Sequence, residues 1–142
     1  MNNELILQPV MAMMLLTALV WVVLYARRIP AMKKAGLPTQ TWTTSDKVTE
    51  LLPEAVNLPS SNLKNLFELP VLFYVLCLLL YVTASVDTGY LVAAWLFFGF
   101  RLLHSLIHCT ANRVMARFLC YLAASLALWF MVVRAAIGTL GS

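Results

Sequence analysis

Arg101, His104 and His108 fall at i, i+3 and i+7, so on a helix they form one stripe; Arg113, Arg117 and Tyr121, at i, i+4 and i+8, form another. Both stripes border or enter strongly apolar stretches, where an ionisable side chain costs several kcal/mol unless a partner or a cavity compensates. A third polar stripe, Asn62, Asn65 and Glu68, repeats every three residues where the next apolar stretch begins. Glu68 can neutralise Arg101, with the remaining polar groups hydrogen-bonding between helices to fix their register. That pair accounts for two charges and leaves His104, His108, Arg113, Arg117 and Tyr121 to explain. The surplus is cationic, which suits an anionic ligand carrying carboxylates or a thiolate.

Other chemistries fit less well. His104 and His108 are one helical turn apart and could share a metal ion with Glu68 or Cys109, but the surrounding arginines repel a divalent cation, so no metal is assigned. Ser105 neighbours His104 in sequence yet points about 100° away on a helix, which rules out a hydroxyl nucleophile activated by that imidazole. Cys77, Cys109 and Cys120 include no Cys-x-x-Cys pair and lie in or at the ends of apolar runs, so they read as packing residues rather than disulfide partners. Cys109, at the end of its run, is the cysteine to test for reactivity.

The elements that must position these stripes are membrane spans. Of 142 residues, 62% are hydrophobic and 11% charged, and the mean hydropathy is +0.85, too apolar for an ordinary soluble domain. A helix needs about 20 apolar residues to cross the hydrocarbon, and four stretches qualify: residues 5–26, 66–86, 90–107 and 114–137. The expected fold is an all-α, integral membrane four-helix bundle forming a single domain over residues 1–142. The first stretch lacks a basic leader and a small-residue cleavage site and ends in Tyr25-Ala26-Arg27-Arg28, so it reads as a retained span rather than a signal peptide.

Nine of the ten Lys and Arg residues, all but Arg134, fall on the side holding the first and third connections. The positive-inside rule makes that side cytoplasmic, with both termini outside and the three polar stripes in the cytoplasmic leaflet. The net charge of +4 is then an orientation signal and an attraction to anionic lipid headgroups; with no basic stripe interleaved with aromatics, nucleic acid is not an expected partner. The long connection, residues 27–65, contains Pro30, Pro38, Pro53 and Pro59 and one short helical signal: Thr44-Ser45-Asp46 as a cap, then residues 47–52, ended by Pro53. It is expected to be either a partly ordered cap over the cytoplasmic mouth of the bundle or a floppy linker. Asp87-Thr88-Gly89 marks a tight turn.

Four spans in this length, Asn65-Leu66-Phe67-Glu68 with Pro70 close behind, and Arg101-Leu102-Leu103-His104, followed by Arg113, Arg117 and Tyr121, resemble the MAPEG family, the membrane-associated proteins in eicosanoid and glutathione metabolism. The resemblance implies a homotrimer that binds glutathione as cosubstrate between neighbouring subunits. By matched position Asn65, Glu68, Arg101, His104, His108, Arg113 and Tyr121 would contact or frame the tripeptide, and Arg117 would hold its sulfur as thiolate. The chain departs from glutathione-using members by having Ser60, Ser61 and Lys64 where they carry arginine before the Asn-x-x-Glu motif. It also has His108 at a common tyrosine position and Phe118 after Arg117. Two functions follow from the likeness: a glutathione-dependent transferase or peroxidase acting on a lipophilic electrophile or hydroperoxide, or a non-catalytic membrane scaffold or lipid-binding subunit.

Overall fold

The computed structural model describes residues 1–141, and among them every regular element is helical. Helix α1 spans Leu7–Ala35, α2 Ser45–Leu51, α3 Glu54–Leu66, α4 Leu69–Val82, α5 Thr88–Cys109 and α6 Val114–Leu140. A 3₁₀ turn, Asn3–Ile6, leads into α1, capped by the Asn2 side chain, which accepts from the Glu4 N–H at 3.0 Å. Four helical paths are long and apolar enough to cross a membrane: Asn3–Ala35, Glu54–Val82, Thr88–Cys109 and Val114–Leu140. The chain is therefore a multi-pass membrane bundle, as its composition implies.

Two expected boundaries are corrected. Helix α1 does not stop at Ala26 but runs through Arg27, Arg28 and Pro30 to Ala35, because residues 31–35 are good helix formers and the first suitable stop is Gly36. Gly36 takes the left-handed conformation, φ +64°, and its N–H returns to the Lys33 carbonyl at 3.2 Å, while Lys33 and Lys34 complement the negative end of the helix dipole. At 29 residues α1 is about 43 Å long against about 30 Å of hydrocarbon, so its basic end projects beyond the apolar layer.

The second correction concerns residues 27–65, expected to be a connection but largely helical. The short helix is present as α2, with the Thr44 side chain accepting from the Lys47 N–H at 3.2 Å and Pro53 following its end. Helix α3, however, precedes the second apolar stretch. It is amphipathic, with Asn57, Ser61, Lys64 and Asn65 on one face, so a hydropathy window passes over it. The helical path that carries the second apolar run thus begins at Glu54, well before Leu66, and ends at Val82.

Between α3 and α4 the path breaks at Phe67 and Glu68. Pro70, in the first turn of α4, has no N–H to give the Leu66 carbonyl, and Glu68 leaves helical geometry at φ −96°, ψ −106°. Helix α3 closes instead on tighter bonds, from Phe67 N–H to Lys64 carbonyl at 3.1 Å and from Glu68 N–H to Asn65 carbonyl at 3.4 Å.

The interior is apolar through most of its depth: Ile6, Met13, Phe73, Phe97, Leu128 and Met131 are fully buried, and Phe73 stacks on Phe97 with centroids 4.5 Å apart. Leu15, Leu19, Val75, Val82, Leu126 and Ile137 point outward, forming the surface a bilayer would contact.

At the end of the bundle that carries the termini, Asp87 caps α5 by accepting from the Tyr90 N–H at 3.0 Å. It also receives both terminal nitrogens of Arg134 from α6, one of them at 2.8 Å. Arg134 lies over the Tyr90 ring at 4.3 Å, and a Cβ at Gly89 would stand 2.6 Å from its Nη1, so a side chain there would displace the guanidinium from Asp87. The Arg134 hydrogen bond, ahead of the Tyr90 backbone bond, holds the Asp87 carboxyl below the usual carboxylate range. A lowered folded-state value means stability that is present above the unfolded value and lost as pH falls through the folded one. The pair is partly exposed, so its share is small, and the cap contributes more, about 1 kcal/mol. We expect Asp87→Ala to lower the melting temperature of the detergent-solubilised protein. Asp87→Asn keeps the cap, so it should lose less and should lack the wild type's added loss of stability below about pH 4.

Candidate functional site

The polar stripes do come together, at the end of the bundle where α3 begins and α5 finishes. There a cavity of 780 Å³ opens between α2, α3, the α5–α6 connection and the first turns of α6. Asn65, Glu68, His108 and Arg117 line it. Behind its wall, and not lining it, lie Arg101, His104 and Tyr121, while Arg113 is exposed at the cap of α6 and takes no part.

Arg101 is completely buried, and its partner is not the one expected. Glu68 is exposed and lies outside ion-pair distance of it, acting on Arg101 only by Coulomb attraction across a gap; among the described residues the ion pair that forms is Arg134 with Asp87. Arg101 Nη2 instead donates to the Asn65 carbonyl at 3.0 Å. The break at Phe67 and Glu68 is the physical reason. It turns the Glu68 side chain out to the cavity, and the Arg101 guanidinium adds a second donor to the Asn65 carbonyl, which also accepts from the Glu68 N–H, its charge complementing the helix C-terminus. The remaining Arg101 nitrogens, Nε and Nη1, have no protein partner, and its guanidinium carbon lies 5.5 Å from the Tyr121 ring centre.

His104 ties α5 to α6: its Nδ1–H donates to the Arg117 carbonyl at 3.0 Å. In a neutral ring this places the proton on Nδ1 and leaves Nε2, buried and unpartnered, as an acceptor. Its ring meets those of His108 at 5.6 Å, edge to face, and Tyr121 at 5.8 Å. His108 is also buried with Nδ1 unpartnered, but it reaches the cavity wall. Arg117 is anchored by its Nη1, which donates to Asn112 Oδ1 at 2.6 Å, and both residues line the cavity. Asn112 can do this because it adopts φ +47° in the turn after α5, with its N–H on the Ile107 carbonyl at 2.7 Å.

Asn62, the third member of the α3 stripe, faces α5 instead of the cavity. It is fully buried, accepts from Ser105 Oγ at 3.3 Å and lies 3.6 Å from Cys109 Sγ, a polar lock between the two helices. Arg27 works nearby: its Nη1 donates to the Cys109 carbonyl at 2.8 Å and to the Ala55 carbonyl at 3.3 Å. Pro59 has no N–H for the Ala55 carbonyl, so the α1 arginine supplies a donor at that gap.

Sequence reasoning missed much of the wall: Thr49 and Leu52 beside α3, the α3 residues Glu54, Asn57, Leu58, Ser61 and Lys64, and Asn112 beyond α5. The signal was available. Residues 54, 57, 58, 61, 64, 65 and 68 recur at helical spacing and make one continuous face, but they were divided between a connection and a span. The arrangement provides a polar chamber with Arg117 and Lys64 as its cations and Glu54 and Glu68 as its acids. Among the described residues no three His, Cys, Asp or Glu side chains gather into a metal-binding group.

If Arg101 serves the broken helix and not Glu68, the two residues must respond differently to substitution. We expect Arg101→Met to destabilise the solubilised protein by about 1.5–3 kcal/mol, the worth of a hydrogen bond from a charged donor, and Glu68→Gln to change stability by less than about 0.5 kcal/mol. Thermal unfolding of both variants measures this; equal losses would restore the Glu68–Arg101 pair.

Compared with known proteins, residues 6–137 match the model of one family, described as the MAPEG family. No curated protein and no solved structure matches the chain.

Proposed function

Since this chain belongs to the MAPEG family, we propose that it is a membrane-embedded glutathione-dependent transferase or peroxidase in which Arg117 holds the thiol of glutathione as thiolate. The observation that carries this reading is Arg117 itself: a guanidinium anchored on Asn112 at the wall of a 780 Å³ cavity, with His108, Asn65 and Glu68 on the same wall. A cation in a partly water-excluded site lowers the pKa of a neighbouring thiol, and the thiolate is the nucleophile. The volume falls in the range of small-molecule sites.

In this reading Asn65 and Glu68 bind the peptide by hydrogen bonds, Glu68 taking its ammonium group. Lys64 and Arg117 face its anionic groups, and Lys64 stands in for the arginine that glutathione-using members carry nearby. His108 contributes its ring to the wall. Arg101, His104 and Tyr121 act from behind, fixing the backbone of Asn65 and Arg117. The protein works as a homotrimer whose neighbouring subunits complete the cavity, with the basic end cytoplasmic and the electrophile or hydroperoxide lipophilic.

A non-catalytic scaffold is the second reading, favoured by one specific feature: Arg101 and His104 are both committed to backbone carbonyls, as residues of a packing device would be. Arg117 separates the two. In the transferase reading, adding glutathione to the purified protein produces a thiolate absorbance that Arg117→Ala abolishes. The same variant lowers kcat/KM with a chromogenic electrophile on the order of a hundredfold. Millimolar glutathione giving neither binding heat nor a thermal shift sinks the transferase reading and leaves the scaffold.

A further inference from the structure

One lining side chain, His108, carries a basic nitrogen that thiolate stabilisation by Arg117 does not use. It is 4% exposed, sits one helical turn after His104 on α5 and lines the chamber with Arg117. Its two ring nitrogens are placed differently. Nδ1 is sealed in the interior; Nε2 is not sealed and, among the described residues, has no hydrogen bond, so it is the nitrogen the ring brings to the chamber. Two bonds set Arg117 at the same level: His104 Nδ1–H holds its carbonyl at 3.0 Å, and its Nη1 runs back to Asn112 Oδ1 at 2.6 Å. His108 lies between those two anchors along the chain, its ring 5.6 Å from that of His104. The Nε and Nη2 of Arg117 are neither bonded nor sealed. A guanidinium and an imidazole nitrogen thus face the chamber from neighbouring positions.

The groups around His108 leave it the base of this site. On its own helix, His104 has its free nitrogen sealed and Arg101 is fully buried; from α6 comes Arg117; across the chamber stand Lys64, Glu54 and Glu68 of the α3 side. Among the described residues no carboxylate is bonded to the His108 ring, and the charges acting on it are those of Arg117 and Arg101, so the ring rests neutral with a lone pair to offer. Arg117 and Lys64 are cations without a lone pair. Glu54 and Glu68 are exposed, and a carboxylate is a far weaker base than an imidazole. A thiol that gives its proton to a neighbouring imidazole while a guanidinium faces the sulfur is activated twice, by a base and by a field.

We propose that His108 Nε2 is the acid–base group of the site, taking the proton of the thiol and returning it to the leaving group. The assignment rests on the thiol-transferase reading and adds the proton's path to it. In the first step the S–H bond breaks, its electron pair stays on the sulfur facing Arg117, and the proton goes to Nε2. With a hydroperoxide, the sulfur then bonds to the terminal oxygen, the O–O bond breaks, and the leaving alkoxide takes the proton from Nε2. The products are an alcohol and the sulfenic acid of glutathione, which a second glutathione converts to disulfide and water. With an aryl chloride, chloride leaves with the bonding pair and needs no proton, so Nε2 gives its proton to water afterwards. A proton donor beside the sulfur therefore helps a hydroperoxide more than an aryl chloride.

The test uses the full chain in nanodiscs, with thiolate absorbance and proton release read together as glutathione is added to a weakly buffered solution containing a pH dye. At about pH 7 the wild type should release almost no proton per thiolate formed, because His108 keeps it, whereas His108→Phe and His108→Gln should release about one. A His108 that only packs predicts about one proton from the wild type too, and that result overturns the assignment whether or not the variants fold. The same variants should lower kcat with cumene hydroperoxide about a hundredfold. With chlorodinitrobenzene, at a pH high enough to ionise the bound thiol, the loss should stay under about threefold; equal losses with the two probes also overturn the assignment. Glutathione that binds as an Arg117-dependent thiolate but sheds its proton to water removes His108 alone. Glutathione that does not bind the wild type removes the transferase reading and this step with it.

Discussion

The bond from Arg101 to the Asn65 carbonyl governs how this bundle is built. A membrane interior offers no water to a helix that ends inside it, so a broken span persists only where side chains or neighbouring helices satisfy the freed backbone groups. The break between α3 and α4, set by Pro70 and the non-helical Glu68, closes α3 on two short backbone bonds, and Arg101 from α5 adds a charged donor at one of them, on the Asn65 carbonyl. Burying a guanidinium is expensive, and here the expense has a structural return: the same charge fixes α5 against α3 at the depth where the chain bends. Arg27 repeats the device one level outward, where Pro59 leaves the Ala55 carbonyl short and α5 ends at Cys109.

Because the break turns the second membrane path, its outer half can be polar while its inner half is apolar. Helix α4 is hydrophobic on every side, as suits a helix facing lipid and core, whereas α3 splits its polar residues between two jobs. Asn62 locks to Ser105 and Cys109, and Asn57 holds α2; the face with Ser61, Lys64 and Asn65 is left to line the chamber. On the opposite wall His104 fixes the Arg117 carbonyl and Asn112 fixes the Arg117 side chain. Asn57, the Asn65 backbone and Arg117 are thus each held by a hydrogen bond, which is the arrangement a site needs to keep its geometry without a ligand.

The membrane bundle was legible in the sequence because four runs of apolar residues are a composition signal that packing does not alter. Polar stripes were legible for the same reason, since Arg101, His104 and His108 sit at helical spacing whatever surrounds them. What the sequence hid were the partners. Coulomb attraction alone pairs Arg101 with Glu68, but the backbone break supplies a nearer acceptor and swings the carboxylate away, and a residue pattern does not reveal a peptide's direction. Helix α3 was hidden differently. Hydropathy rewards apolar windows, and an amphipathic helix crowded with Asn, Ser and Pro resembles a connection until its period is counted. Tyr121 and Arg113 illustrate the limit of stripes: they share a face with Arg117, yet one lies behind the wall and the other at the rim.

How the cations are spent singles out the residue on which the proposed chemistry depends. Arg134 is taken up by Asp87 at the far end, Arg27 by two carbonyls, and Arg101 by the Asn65 carbonyl behind the wall. Arg117 and Lys64 remain at the chamber, and of these Arg117 is the one whose position is fixed by a hydrogen bond. Arg101 still acts at a distance. A buried charge with two nitrogens unpartnered keeps its field, and that field favours a thiolate over a thiol in the same direction as Arg117 does. In the proposed reading, then, the arginine that holds the broken helix together and the arginine that touches the sulfur act on the same proton, one through the field and one through contact. The structural and chemical roles of the buried cations are therefore not alternatives: Arg101 holds the Asn65 backbone from behind while the Asn65 side of α3 lines the chamber.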